Sequence, residues 1–448
     1  MVLSLSQWER VGVRAKSEVS AIRTKLLRTA IKSLGAEECR NPSQYFDPDP
    51  PMPSTIHHAL VLNLHQPWGN LDAMLNDSVE QERWHAKECL FAYDRIPRAV
   101  WGWEDVARVH LAASGSLLEA LSNPEFQARV YGIVKCGDVL WNWRNPALDL
   151  IGTGYYHPVL PLIPAADRRE HIQRWLGIGR HLFGRGQFNG FWPPECGFSM
   201  DLIPLLVEAG YRYVIVDSEH IVPMTPMRWE ELRYRPHIAK FGDAEIVVIP
   251  RDRDLSIAQE GGMEVGWFLH ELNERCKWCD FEPLVCTVTD GENGGWFRNI
   301  RWESNYWGAF YHPFLHQVRH GETNVRPTFI HDYLDKHGAH GQVIVRTGAW
   351  NTGFHHGIGF VQWTGSQMQR DAWARLGPVS RQIHDARWRA GEQGAGPEVR
   401  QALDEALWRL LRAETSCHYF WGEAWVQRAH DGLDDALAWL AKGQGSSQ

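Results

Sequence analysis

Seven short apolar runs, rich in Val, Ile and Leu, recur between residues 58 and 290 and constrain the fold more than any other feature of the chain. Each run is too short and too rich in β-branched residues to favour a helix, so the series predicts buried parallel strands. Helical patterns lie between most of the runs, and one of them, 201–210, ends in a glycine typical of a helix C-terminus. The runs are 58–65, 108–113, 148–153, 188–192, 212–217, 245–250 and 284–290.

This alternation of strands and helices predicts an α/β fold whose parallel sheet is closed, or nearly closed, into a barrel. The alternative is a doubly wound open sheet. Its marker is a Gly-x-Gly-x-x-Gly turn that opens a helix after the first strand, and residues 66–75 lack such a turn. The barrel is therefore the first prediction.

Length and composition exclude several classes of protein. The 448 residues are too many for one ordinary domain and suit a barrel with an appendage. Apolar runs stay shorter than the roughly 18 residues that a membrane helix needs. A balance of 46 Lys and Arg against 54 Asp and Glu gives a net charge of −8, which disfavours a nucleic-acid partner.

The N-terminus and the cysteine pattern favour a cytoplasmic protein. The first eight residues contain no apolar stretch of the kind found in secretory signals. Eight cysteines are scattered along the chain rather than densely spaced as in a disulfide scaffold. The pair Cys276 and Cys279 forms a single C-x-x-C that lacks the second pair of a structural zinc site, so no metal or redox centre is assigned to it.

Two terminal segments are predicted to lie outside the barrel. Residues 1–54 end in a proline-rich stretch and predict a poorly ordered extension, with Met52 as a candidate for the natural start. Residues 367–448 carry helical periodicity, for example at Leu403, Leu407 and Leu411. The predicted organisation is an extension at 1–54, a barrel with its loops at 55–366, and a C-terminal helical domain at 367–448.

Polar residues follow the predicted strands at the points where the strands end. Because the carboxyl ends of parallel barrel strands face one cleft, polar groups gathered there predict a functional site. The oligomeric state is not readable from this pattern. The candidates at these ends are His65, Gln66, His157, Glu195, Glu219, His220, Arg251, Asp252, Asp290 and Glu292.

Glu195 and Asp290 suit the cleavage of a glycosidic bond. This reaction needs one carboxylate to attack or stabilise the anomeric carbon and one carboxylic acid to protonate the departing oxygen. Glu195 follows Trp192 and two prolines that stiffen the backbone, and Asp290 has glycines nearby that let backbone approach a ligand. Either carboxylate could instead cap a helix or pair with an arginine.

Five segments resemble successive motifs of glycoside hydrolase family 57. They are NLHQPWGN at 63–70, GTGYYHPVLPLIP at 152–164, GFWPPEC at 190–196, GYRYVIVD at 210–217 and TDGEN at 289–293. The resemblance extends over about residues 57–425. It implies an incomplete seven-stranded β/α barrel followed by helices, action on α-linked glucans or galactosides with retention, and catalysis without metal or cofactor. By this resemblance Glu195 takes the place of the nucleophile and Asp290 that of the acid/base.

The chain departs from the family pattern in two places. Asn63 stands where the family usually has histidine, and its amide can still contact a sugar hydroxyl. Segment 414–422 resembles the family's Ser-Asp-Trp-x-Trp-Trp motif, but Cys417 and His418 replace its Asp and Trp. Further substrate-binding candidates are aromatic or imidazole side chains that could stack on or contact sugars: Trp68, Trp192, Trp296, Trp350, His355, His356 and Trp421.

Three functions from different classes follow. The first is a retaining hydrolase or transglycosylase of the amylase, 4-α-glucanotransferase or branching type, whose partner is an α-glucan or maltooligosaccharide. The second is a carbohydrate-binding protein on the same scaffold with a weak or disabled centre. The third is a metal-dependent barrel such as a polysaccharide deacetylase or a mannosidase, which would need clustered His and Asp ligands where the sequence shows isolated histidines.

Overall fold

The computed structural model describes residues 53–350 and 359–445, which lie within one compact unit, Pro50–Gln448. The predictions for most of the 1–54 extension, for Met52, and for His355 and His356 fall outside the described residues. The strands of the described part are β1 Ile56–Leu64, β2 Val109–Ala113, β3 Leu148–Leu150, β4 Gly190–Phe191, β5 Tyr213–Asp217, β6 Ile221–Pro223, β7 His237–Phe241, β8 Ala244–Arg251, β9 Leu284–Asp290, β10 Val325–Pro327 and β11 Gln342–Val345.

Helices connect and cover these strands. Short 3-10 turns at Pro194–Cys196 and Ser218–His220 follow β4 and β5, and a π-helical turn spans Tyr306–Tyr311. The α-helices are α1 Asn70–Leu75, α2 Glu80–Val100, α3 Gly115–Ser122, α4 Pro124–Val130, α5 Cys136–Asn142, α6 Ala165–Phe183, α7 Ile203–Glu208, α8 Trp229–Tyr234, α9 Arg253–Gly261, α10 Val265–Cys276, α11 Gly295–Arg298, α12 His312–Arg319, α13 Ile330–His337, α14 Val361–Thr364, α15 Gln367–Glu392, α16 Pro397–Ala413, α17 Ser416–Phe420 and α18 Glu423–Gly445.

Parallel pairings lead from β1 through β2, β3, β4, β5, β8 and β9 and return to β1. Two links in this circuit are single residue pairs, Gly152 with Phe191 and Arg251 with Cys286. The seven strands are those predicted from the apolar runs, in the same order. The α/β class with a helical C-terminal region is confirmed, and closure into a barrel stays a prediction that the circuit supports.

The sequence patterns missed four short strands, β6, β7, β10 and β11. β7 and β8 form an antiparallel hairpin around Gly242, whose φ of 60° suits glycine. β11 pairs with β6 and β7, and β10 pairs with the start of β1. All four are short or partly exposed, so they lack the apolar run that marks a buried strand.

Two glycines allow β3, β4 and β5 to approach one another closely. A Cβ atom on Gly152 would lie 2.0 Å from the hydroxyl oxygen of Tyr211, and one on Gly190 would lie 2.2 Å from the ring of Tyr213. The two rings therefore occupy the space that side chains would fill. Because β4 has only two residues, this packing helps to fix the turn that follows it.

The C-terminal helices form their own apolar interface. Leu403, Leu407 and Leu411 of α16 are buried, as their periodicity predicted, and Leu433 and Leu440 of α18 are buried with them. Truncating one such leucine to alanine typically costs about 2 to 5 kcal/mol. The domain boundary at 366/367 stays a prediction. Among the described residues, no helix has both the length and the apolar composition that crossing a bilayer requires.

Candidate active site

The carboxyl ends of the strands bring Glu195 and Asp290 to one site. Asp290 ends β9 and pairs in register with Asn63 of β1. Glu195 lies in the 3-10 turn after β4, between Pro194 and Cys196. The charge of Glu195 acts on Asp290 and contributes to a raised pKa of that carboxyl, so the two groups interact electrostatically.

The backbone is strained at this site. In the described part of the chain, positive φ angles at residues other than glycine occur at His157 (58°), Glu195 (57°) and Cys196 (54°). Side chains rarely adopt this left-handed region, and each such residue costs of order 1 to 3 kcal/mol unless the surroundings enforce it. Two of the three residues are neighbours in the Glu195 turn, and the third contacts the Glu195 side chain. The backbone strain is therefore concentrated around the Glu195 carboxylate.

Three side chains hold the Glu195 carboxylate. The hydroxyl of Ser416 donates to Oε1 at 2.7 Å, and the indole N–H of Trp350 donates to Oε2 at 2.7 Å. His157 Nε2 lies 3.6 Å from Oε1. The backbone N–H of Trp350 also donates to the Glu195 carbonyl oxygen at 2.8 Å. Both the turn and its carboxylate are therefore fixed from outside the turn.

These contacts decide the charge state of Glu195. Burial pushes the pKa of the carboxyl upward, but the hydrogen bond and charge of His157, with the donors Ser416 and Trp350, outweigh burial and leave the pKa below its ordinary value. Donors to the ionised form favour that form. Glu195 is therefore ionised at neutral pH, as a nucleophile must be.

Asp290 experiences the opposite balance. Burial is the main cause of its raised pKa, and the negative charge of Glu195 adds to it. Asn63 Nδ2 donates to Oδ1 at 2.7 Å and Asn293 Nδ2 to Oδ2 at 3.2 Å, which offsets part of the rise. Two carboxyl groups whose surroundings push their pKa values apart suit an acid/base and nucleophile pair.

Glu292 braces the neighbouring strand end. Its Oε1 accepts the backbone N–H of His65 at 2.9 Å. The side chain is fully buried, and burial together with the charge of Asp290 raises its pKa well above the ordinary value. A protonated Glu292 adds no second negative charge beside Asp290.

Two stacked imidazoles form the wall beside Glu195. The rings of His65 and His157 lie 4.0 Å apart and are nearly parallel. Ser114 Oγ is 2.9 Å from His65 Nδ1, and Cys417 Sγ is 3.5 Å from His65 Nε2. Burial, and then the charge of His157, lower the pKa of His65 well below its usual value. His65 is therefore a neutral packing partner of His157.

A buried polar network supports the segment that carries Ser416. Glu414 Oε2 is 3.0 Å from His171 Nε2, and both side chains are inaccessible to solvent. Asp167, also inaccessible, lies 2.7 Å from His384 Nε2. Burial and then the charge of the neighbouring Asp167 raise the pKa of Glu414 well above its ordinary value.

Several predicted site residues gather around the carboxylate pair, while others have different partners. His65, His157, Trp350 and Glu292 belong to the first group. Arg251 is buried, pairs with Asp217 at 3.1 Å, and lies 5.5 Å from the Trp350 ring. It therefore packs against a side chain that holds Glu195.

Asp252, Glu219 and His220 are used structurally. Asp252 caps α9 by accepting the N–H of Leu255 at 3.0 Å and pairs with Arg275. Glu219 pairs with Arg233 at 2.6 Å, and His220 Nε2 lies 3.0 Å from the Ala349 carbonyl. This is the capping and pairing alternative that strand-end carboxylates always allow.

Trp192 and Trp296 serve packing in this structure. Trp192 is fully buried against Trp350, with ring centroids 5.5 Å apart, and its contact with sugar stays a prediction. Trp296 donates its indole N–H to the Gln259 carbonyl at 2.9 Å and packs against Tyr306.

Gln66, Trp68 and Trp421 lie at the edge of the site. Gln66 and Trp68 line a cleft of about 210 Å³ that continues to Glu119 and Arg129. Trp68 is 54% exposed and stacks under the Arg412 guanidinium at 3.9 Å. Trp421 is 60% exposed. These two indoles present the accessible faces that sugar stacking requires.

Sequence reasoning missed the role of two residues. Ser416 lies in segment 414–422, which resembles a family motif, yet a serine in a short helix carries no sign of which carboxylate it contacts. The sequence predicts a sugar contact for Asn63, whereas in the structure its amide donates to Asp290. The pairing follows from the register between β1 and β9, which the sequence does not encode locally.

Comparison with known proteins identifies the class. The chain matches the family model of glycosyl hydrolase family 57 over residues 59–343. It is 28% identical over 301 residues to an α-amylase of Pyrococcus furiosus, covering 65% of this chain and 41% of that protein. It is also 28% identical over 252 residues to a 4-α-glucanotransferase of Thermococcus kodakarensis, covering 55% and 34%.

A solved structure agrees in fold. The crystal structure of a family 57 branching enzyme from Thermococcus kodakaraensis superposes with a TM-score of 0.68 at 14% identity, covering 86% of this chain and 89% of that one. The chain spans less than half the length of the two curated relatives. It belongs to glycosyl hydrolase family 57, as its motifs indicated, because the family model matches more than half of it.

Proposed function

We propose that this chain is a retaining enzyme acting on α-linked glucans by double displacement. The observation that carries the proposal is a pair of interacting carboxyl groups at the carboxyl ends of β4 and β9: Glu195, whose pKa is lowered, and Asp290, whose pKa is raised. Neither is used as a helix cap or paired with arginine in the described structure. A binding protein has no need for such a pair, or for a strained turn that carries one of its members.

The roles follow from the charge states. Ionised Glu195 attacks the anomeric carbon while protonated Asp290 donates its proton to the departing glycosidic oxygen. The resulting glycosyl ester on Glu195 leaves Asp290 ionised. Asp290 then takes a proton from water or a sugar hydroxyl, whose oxygen attacks the anomeric carbon and releases Glu195.

His157, Ser416 and Trp350 position Glu195 for this attack. Because their contacts reach both carboxylate oxygens, the carboxylate cannot rotate freely between turnovers. Ser416 and Trp350 also stabilise Glu195 when it departs as an anion in the second step. Breaking either contact is therefore expected to slow the release of the glycosyl group from Glu195 more than it weakens substrate binding.

The choice of acceptor determines the type of activity. Relatives are named α-amylase and 4-α-glucanotransferase, and a structural neighbour is a branching enzyme. Water as acceptor gives hydrolysis, and a sugar hydroxyl gives transglycosylation. The exposed rings of Trp68 and Trp421 are the accessible aromatic faces from which an acceptor chain could be held.

Product analysis tests the proposal. Purified protein is incubated with maltoheptaose, with amylose and with an aryl α-galactoside, while product sizes are followed over time and binding is measured in parallel. Turnover of either α-glucan supports the proposal, with longer products marking transglycosylation. Binding without turnover supports the carbohydrate-binding alternative, and turnover of the galactoside alone would contradict the glucan assignment.

A further inference from the structure

We propose that His57, Glu282 and His337 form a zinc site at the amino-terminal ends of β1 and β9. Among residues 53–350 and 359–445, these three are the group whose ligand atoms lie within 4.8 Å of one another. His57 is near the start of β1, Glu282 precedes β9 by two residues, and His337 ends α13. The site is therefore independent of the glycosidase proposal and of its residues.

The two separations that involve Glu282 fit a tetrahedral ion. Glu282 Oε2 lies 3.5 Å from His57 Nε2 and 3.2 Å from His337 Nε2. Zinc bonds of about 2.0 to 2.1 Å in a tetrahedron place the ligand atoms about 3.3 Å apart. Two histidines with one glutamate are a known zinc ligand set that leaves a fourth position open. A cavity of about 160 Å³ lined by Glu282, Tyr333 and His337 gives that position access to water.

The hydrogen bonds around His57 leave its lone pair facing Glu282. Thr328 Oγ1 donates to the Arg326 carbonyl at 3.0 Å, so it accepts from His57 Nδ1–H at 2.8 Å. His57 Nε2 then carries the lone pair and is buried without a hydrogen-bond partner. A lone pair aimed at a carboxylate oxygen is unfavourable unless a proton or a metal ion lies between them. Fixing the far nitrogen of a ligating histidine is also how zinc sites orient their ligands.

Other contacts place the remaining ligands. Tyr333 OH donates to the Glu282 carbonyl at 2.6 Å, and its ring stacks on His337 with centroids 4.4 Å apart. His337 is in the last turn of α13, where the helix dipole favours a cation. Lys336 Nζ is 2.9 Å from Glu282 Oε2 and competes with the ion, but its side chain is 64% exposed and can turn into solvent.

The site ties three elements together. His57 pairs in register with Leu284, and six residues further along the same strands Asn63 pairs with Asp290. At about 3.3 Å per residue, the proposed ion lies roughly 20 Å from Asp290. Its role is therefore to stabilise the amino-terminal ends of β1 and β9 against α13, and not to take part in the reaction.

Calorimetric titration of the chelator-treated, tag-free full-length protein with zinc chloride tests the proposal. The result expected is one bound zinc per chain and a higher Tm when zinc is present. His337→Gln and Glu282→Gln should each weaken binding at least about tenfold and abolish the Tm rise. Lys336→Gln should tighten binding, because it removes the competing ammonium group.

Two controls address other zinc ligands. His316 and His320 are one helical turn apart with rings 4.1 Å apart, and Cys276 and Cys279 are both buried. His320→Gln and Cys279→Ser should leave the binding constant unchanged. Absence of zinc binding, loss of binding in either control, or full binding by His337→Gln would overturn the proposal.

Discussion

The two ends of the β1 and β9 pair carry opposite kinds of chemistry. At the carboxyl ends, Asp290 meets Asn63 and faces the strained Glu195 turn. At the amino-terminal ends, His57 and Glu282 come together with His337 on a backbone without positive φ at these residues. Two interacting carboxyl groups with split pKa values suit proton transfer and nucleophilic attack, whereas two imidazoles around one carboxylate suit a cation.

The largest effect expected at the carboxyl ends comes from Glu195→Gln. An amide cannot form the glycosyl ester, so kcat on maltoheptaose should fall by roughly 10⁴-fold or more. Glu245→Gln, an exposed glutamate at the start of β8, is the matched control and should retain activity. Full activity of Glu195→Gln would contradict the assignment of Glu195 as the nucleophile.

Asp290→Asn is expected to cost less, and its cost should depend on the leaving group. Loss of general acid catalysis typically slows a step by about 10² to 10⁴-fold. An aryl maltooligoside whose phenol leaves without protonation needs no acid in the first step, so only release of the glycosyl ester should remain slow. A burst of phenol measured by stopped flow checks this, and an equal loss on both substrates would contradict the assigned role.

Ser416→Ala should have an intermediate effect. It removes one donor from the Glu195 carboxylate, which is worth about 1.5 to 3 kcal/mol for a bond to a charged group, or roughly a 10- to 100-fold loss in kcat. The pKa of Glu195 then rises, so activity is lost at a higher pH on the acidic side. Ser416→Thr keeps a hydroxyl and is the control, measured as a pH profile of kcat/KM.

Asn63→Ala should shift the opposite side of the same profile. Asp290 must be protonated, so activity declines as pH rises through its pKa. The Asn63 amide lowers that pKa, and removing it should move the alkaline limb to higher pH by up to about one unit while leaving the acidic limb in place. A shift of the alkaline limb to lower pH would show that Asn63 does not act on Asp290.

The smallest effect on activity is expected from His337→Gln, at the other ends of the strands. Because this side chain is roughly 20 Å from Asp290 by strand register, kcat should stay within about twofold of the parent. Zinc-dependent thermal stability should nevertheless be lost. A large fall in kcat with unchanged Tm would show that the two ends are not separate in function.

Much of the fold was predictable because buried parallel strands have a strong sequence signal. The seven apolar runs correspond to the seven strands of the parallel circuit, and the α16 periodicity corresponds to its buried face. Four strands were not predictable, because short, half-exposed strands have no such signal: β6, β7, β10 and β11. Their existence depends on tertiary pairing, for example of β10 with β1.

The candidate site was predictable to the level of residue type and strand end. Glu195, Asp290, His65 and His157 come together as expected, because strand ends converge whatever their separation in the chain. Side-chain partners were not predictable. Asp252 caps a helix, Trp192 is enclosed, and Ser416 contacts Glu195 from more than 200 residues away, and each of these outcomes depends on packing that a linear pattern does not encode.

Azide rescue tests the central claim most directly. Asp290→Ala is incubated with an activated aryl α-maltooligoside and sodium azide, and the anomeric configuration of the glycosyl azide is read by proton NMR. If Glu195 forms a β-linked glycosyl ester, azide displaces it and yields the α-glycosyl azide. A β-glycosyl azide would mean direct displacement on the substrate, and would contradict the assignment of Glu195 as the nucleophile.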